Sequence, residues 1–526
     1  MKGDDVVRRL TAYAKGKPLP NGETLWVPKP GKSVQRDEML VVSFVRMGGE
    51  SSPWGVAFGT PDSTPQVLTV PEARTRDDVG GMMATFAPEL LEHFLHPQFS
   101  KVGREVRRVP RKKLELPVRQ IWVPTAAHLE MLHCIAYTYY RTKYGPAERH
   151  EVLQQLSRLC GWLFREAKRV GQTVTMVASG VLSEAYTFPA DDLRQAHLGF
   201  LLAWLQTKGG RAARSAAADA AELESVSTSL DPELERSDLQ EYVENFNDAR
   251  TEQDEAGMAK ATRRIHKVLS QELLRRWHLT VTAIDQLEND KRRENAYVGR
   301  LIRASQDEHY LQYLRMEQKI EDRDPEDGPV FTPSPETDRH PAAAGSRYFV
   351  NASSAELRDL LLAHDDRELQ ASMVAAGDAI DGVITEIEVE KEGRKTTVTW
   401  KVTSDGRLPL RIRDGAPLCP VRWTNRELTV LSISQPDAQT NEFELQVTKG
   451  YTLEKPGILR ADDKQLLNTR VMLLPVPMDG IQRRKSAAIW NDQGPGNWLT
   501  HALPKVKGMD LPDDVAEDMP GLGARS

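Results

Sequence analysis

Between residues 377 and 449 the chain changes character at almost every residue, and a run of that kind fits only half-buried strands. Over residues 379–390, Val383, Thr385, Ile387 and Val389 fall on one side, and Glu386, Glu388 and Glu390 on the other. Residues 391–394 read as a turn, and Thr396, Val398, Trp400 and Val402 supply a second inward row. Asp405-Gly406 is the strongest short hairpin signal in the chain, because a type I′ turn needs the positive φ that Asp and Gly tolerate. Leu408, Leu410 and Ile412 continue the period, with Arg407, Arg411 and Arg413 turned away. Residues 421–423, 428–434 and 443–447 complete a set of short strands, and 471–474 read as one more. The expected result is a small antiparallel β-barrel.

A chain of 526 residues is too long for one ordinary core, so about three domains are expected. Residues 1–120 read as a small α+β domain. Residues 39–47 are a Val-rich run of strand length, 54–58 and 66–70 are two further strands, and 79–94 is helical. A short opening helix over 4–14 would stop at Pro18 and Pro20. From Thr125 the apolar period becomes 3.6. Helices are expected over 147–170, 190–206, 212–223 and 258–277, then from a Thr282 cap to about 290, then over 295–321. Residues 121–321 are thus a helical domain. Residues 322–346 are a Pro-rich linker, and 347–480 are a helix pair plus the barrel. Residues 481–526 are a tail, disordered from about 505. The fold class is multi-domain α+β: a small N-terminal α+β domain, a central helical domain and a C-terminal small antiparallel β-barrel.

No catalytic motif survives inspection. Pro30-Gly31-Lys32-Ser33 ends like a phosphate loop, but Trp26 stands where the first glycine belongs and two prolines remove backbone donors. His93 with His96, and His128 with His133, lack the i, i+4 spacing of a helical zinc site and read as surface or interface histidines. Glu386, Glu388 and Glu390 share one strand face, yet the Glu-x-Lys step of a metal nuclease is missing. Cys134, Cys160 and Cys419 read as buried free thiols of a reducing cytosol. The N-terminus has no apolar leader and nothing spans 18 apolar residues, so a cytoplasmic protein without membrane contact is expected. No metal, cofactor or catalytic residue is expected.

A net charge of −6 over this length says nothing about partners, so any electrostatic argument is local. Two basic features stand out. Lys101, Arg104, Arg107, Arg108, Arg111, Lys112 and Lys113 form the densest positive run, suited to tracking a phosphate backbone or to docking the acidic 226–255 segment. The outward row Arg407, Arg411 and Arg413, extended by Arg422 and Arg426, lies on the barrel, where Trp423 is a candidate base-stacking platform.

The run GDAIDGVITEIEVEKEGRKTTVTWKVTSDGRLPLRIRDGAPLCPVRW, followed by FELQVTKGYTLEKPGILR, resembles the β-barrel that precedes the motor in some superfamily-one helicases. The resemblance covers residues 377–460 and includes no motor motif, so it implies a motor-less partner or a barrel used elsewhere, and not helicase activity. The reading that follows is a non-enzymatic accessory protein handling DNA or RNA, single strands favoured, as partner of a separate motor or nuclease. Such a protein would suit a bacterial defence or mobile-element system. Its rivals are a scaffold whose helical domain docks a protein partner, and an enzyme whose site is assembled across domains.

Overall fold

The computed structural model describes residue 32, residues 34–95, 119–143, 145–168, 172–288, 356, 358–364, 366–392, 395–421, 426–450, 453–455, 458–459 and 466–476. The chain divides into two units, residues 1–333 with 354–477, and residues 334–353 with 478–526, and every described residue lies in the first. The expected helices over 4–14 and 295–321, the linker and the tail lie outside the described residues.

In chain order the first elements are β1 (Met39–Arg46), β2 (Pro53–Gly59), β3 (Gln66–Thr69), α1 (Arg76–Leu95), β4 (Gln120–Val123), α2 (Ala126–Tyr139), α3 (Ala147–Glu166), β5 (Thr175–Val177), α4 (Ala178–Ala185), α5 (Leu198–Gln206), α6 (Arg211–Glu222), α7 (Gln240–Thr251) and α8 (Glu255–Glu288). The five strands form one sheet in the order β3-β2-β1-β4-β5. β2 runs against both its neighbours, whereas β4 and β5 run parallel to β1. β1 is apolar along nearly its whole length because both of its faces are covered. Phe44 meets Phe86 of α1 edge-on at 6.1 Å, while the Oγ of neighbouring Ser43 donates to the Leu273 carbonyl of α8. Successive strand residues point to opposite faces, so α1 and α8 sandwich the sheet.

The central region is helical as its period predicts, but it is not a free-standing bundle. It supplies β4 and β5 to the sheet, and a single core runs from Met39 and Phe86 through Leu159 and Phe200 to Leu287. No helix starts at Thr282. α8 passes through that position without a break, and the Thr282 hydroxyl donates back to the His278 carbonyl at 2.8 Å, as mid-helix threonines do. The helix expected over 190–206 is interrupted at His197, which caps α5 by accepting from the Phe200 amide. Cys160 and Cys419 are buried as expected, Cys134 is only half-buried, and burial pushes the Cys160 thiol pKa up.

After α9 (Arg367–Ala376) come β6 (Ile380–Glu392), β7 (Lys395–Asp405), β8 (Pro417–Pro420), β9 (Glu427–Asp437), β10 (Thr440–Lys449), the short pair β11 (Leu453–Lys455) and β12 (Ile458–Leu459), and β13 (Arg470–Pro475). Six of these close an antiparallel barrel in the order β10-β7-β6-β13-β8-β9. The expected architecture holds, with three local corrections. The pairing of β6 with β7 slips between Ile384 and Glu386, so the inward face switches parity there. Ile384 is fully buried and Val383 is exposed, while Ile387 and Val389 face the core as expected.

The second correction is Asp405-Gly406, which is no hairpin. Neither residue has positive φ. β7 ends there beside the β9–β10 turn, where a Cβ on Gly406 would lie 2.6 Å from the Thr440 nitrogen. Third, the strand expected over 408–412 is absent, whereas the one expected over 421–423 lies, beyond Val421, outside the described residues. Pro409 has no ladder donor to give, the Arg411 amide goes to the Gly377 carbonyl instead, and the next strand is β8.

Candidate nucleic-acid interface

The carboxyl ends of parallel strands are where α/β sheets usually hold ligands. In this sheet the loop Ser225–Leu230 occupies that edge. β4 ends at Val123 and no longer pairs with the far half of β1, so the Phe44 amide would be orphaned. His128, in the first turn of α2, accepts from it through Nδ1 at 3.0 Å. Its Nε2 therefore carries the proton and donates to the Val226 carbonyl at 3.1 Å. Two residues on, the Arg46 amide donates to the Thr228 carbonyl at 2.8 Å.

The carbonyls of Ser225, Ser227 and Ser229 turn instead to α8. Arg276, with a fully buried side chain, donates from Nε to Ser227 at 2.7 Å and from Nη2 to Ser229 at 3.2 Å. Its Nη1 donates to the carbonyl and carboxylate of Glu272, and Arg275 donates to Ser225 and to the same carboxylate. Burial opposes the Arg276 charge and holds its pKa down, while Glu272 supports it. Val226, Thr228 and Leu230 fill the core beneath the loop. The edge is a closed structural knot.

His128 is therefore a core histidine and not the surface or interface residue its helix position suggests. Burial first, and Arg276 second, hold its pKa down at about 3. The sign of the linkage follows. Between pH 6.5 and 3 the unfolded chain binds a proton that the folded chain refuses, so stability is full above 6.5 and falls as pH drops. His128 alone should remove about 2 kcal/mol by pH 5. His93, held at about 4 by its desolvation and by Arg119, acts in the same sense. Urea midpoints at pH 7 and pH 5 check this, with His128→Gln losing less between the two. A wild type equally stable at both values would mean that His128 is not buried neutral.

The sequence-derived binding residues divide between described and undescribed parts of the chain. Lys101, Arg104, Arg107, Arg108, Arg111, Lys112, Lys113, Arg422 and Trp423 lie outside the described residues. Arg407, Arg411 and Arg413 sit together on the segment between β7 and β8, all exposed. Leu410 and Ile412 turn against the barrel core and Leu408 is exposed, so without a ladder the alternation survives only from Leu410 on. Arg407 grips Asp405 with Nε at 2.9 Å and Nη2 at 2.7 Å, and that hydrogen-bonded contact lowers the Asp405 pKa to about 2. Arg411 stands 3.7 Å from Asp378. Arg426 lies 5.7 Å over the ring of Trp400, whose indole is in the core. On the wall of the barrel, the Lys401 ammonium bridges Glu386 and Glu388 at 2.7 and 2.8 Å, closing that acidic face.

Among the described residues, no three His, Cys, Asp or Glu side chains converge to hold a metal ion, and no helix is long and apolar enough to cross a membrane. No protein-family model, curated protein or solved structure matches this chain.

Proposed function

We propose that this protein is a non-enzymatic accessory factor that handles nucleic acid, single strands before duplex, beside a separate motor or nuclease. The observation that carries this reading is the segment from Arg407 to Arg413, with Leu410 and Ile412 turned against the barrel core and its three guanidiniums exposed. The side chains of Arg407 and Arg411 are 72% and 71% exposed. Ion pairs that open are worth roughly 0–1 kcal/mol, so a phosphate can displace the carboxylate at little cost. The filled carboxyl edge of the sheet supports the non-catalytic half of the reading, because the usual ligand crevice holds the protein's own loop.

Anisotropy titrations of a labelled single-stranded 20-mer over a range of salt test it. Replacing Arg407, Arg411 and Arg413 by Gln should weaken binding alike on all sequences. The slope of log K against log salt should become shallower by about 0.7 per lost contact. No binding by the wild type, or binding indifferent to salt, would overturn the proposal and leave the protein-docking scaffold in its place.

A further inference from the structure

We infer that the outward face of α2 is a stacking platform for unpaired bases. The inference rests on the nucleic-acid reading above but uses a surface on the sheet-containing part of the chain, separate from the barrel arginines.

α2 buries Met131, Leu132, Ile135 and Tyr139 and leaves His133 and Tyr137 exposed, and the turn that follows it exposes Arg141. Residues four apart fall on one stripe of a helix, rising about 6 Å per step. Tyr137, near the end of the helix, is 85% exposed. A single exposed apolar ring is unremarkable on its own; its neighbours give it meaning. One turn before it, His133 stacks on Phe164 of α3 with ring centres 4.4 Å apart and planes 18° from parallel. The Lys168 ammonium lies 3.8 Å from the centre of the same Phe164 ring. Just past the end of α2, the Arg141 guanidinium stands 5.4 Å over the ring of Tyr140.

The surface thus offers the open ring of Tyr137 between two cations that are each held against an aromatic ring. Single-strand binding needs that combination, since every base has a face to stack and every linkage a charge to meet. Bases inside a duplex are stacked on one another and cannot use it. Exposed Glu130, one turn before His133, repels phosphate and limits the platform to the His133–Arg141 span.

The test uses the full chain with fluorescein-labelled oligo(dT) and oligo(U) 20-mers. Tyr137→Ala should lower affinity about tenfold on both, the order expected for one lost stacked base. Tyr137→Trp should retain wild-type affinity, and Tyr137→Leu should behave like Ala. All three should melt as the wild type does, because the side chain touches almost nothing. If the wild type binds and Tyr137→Ala binds equally well, the platform is wrong while the barrel reading stands. Tyr137→Leu binding like the wild type would mean that stacking plays no part, which also overturns it. A wild type that binds neither oligonucleotide removes both proposals.

Discussion

Arg276→Met should cost the sheet-containing part of the chain about 3–5 kcal/mol, the range for removing one partner of a buried charge pair. The methionine fills much of the space of the arginine stem. It leaves the Ser227 and Ser229 carbonyls without their guanidinium donors and Glu272 without one of its two arginines. Burial works against the Glu272 charge, yet Arg275 and Arg276 together hold its carboxyl below the usual range, so losing one guanidinium leaves the carboxylate poorly compensated. Arg276→Lys should recover little, because an ammonium is a single point of charge and cannot reach both carbonyls and the carboxylate as the fork does. Urea unfolding at pH 7 measures the loss, and amide exchange in the 225–230 loop should accelerate with it. Wild-type midpoints in Arg276→Met would show that the loop is held by the burial of Val226, Thr228 and Leu230 alone.

In the barrel, Trp400→Ala should also cost about 3–5 kcal/mol. Trp400 is 2% exposed and stands in the ladders opposite Leu445 on one side and Ile387 on the other. Truncation leaves a cavity between strands that a closed ladder resists collapsing. Hydrogen exchange of the full chain reads this, since β6, β7 and β10 amides should lose protection while those of β1 keep it. Unchanged protection across the barrel strands would mean that Trp400 does not anchor the core.

Much of this was legible in residue order alone. Val398, Trp400 and Val402 are buried where period two puts them, and Leu153, Leu156, Leu159 and Leu163 line the inside of α3 where period 3.6 puts them. Such patterns record which side of an element meets the core, and that is a local property. Arg407, Arg411 and Arg413 were found as an outward row for the same reason, although the strand assigned to them does not exist. The alternation Val226, Thr228, Leu230 between serines was also there to be read, and His133 and Tyr137 have plain helical spacing; neither stands out without its neighbours.

What tertiary structure alone decided is everything that depends on a partner distant in sequence. Nothing near His128 announces that the Phe44 amide, 84 residues away, lacks a ladder partner that this ring replaces. Nothing near Thr282 tells a cap from a mid-helix back-bond, since both use the same hydroxyl. The bulge after Ile384 reverses a face because β7 pairs out of step, and Asp405-Gly406 is bent by the β9–β10 turn beside it. The carboxyl edge of the sheet is filled because Arg276, from a helix that follows all five strands, meets a loop that alone would have left its carbonyls to water. Residue order sets which faces are apolar, and packing sets which polar groups answer one another, because a buried donor pairs with any acceptor that geometry brings to it.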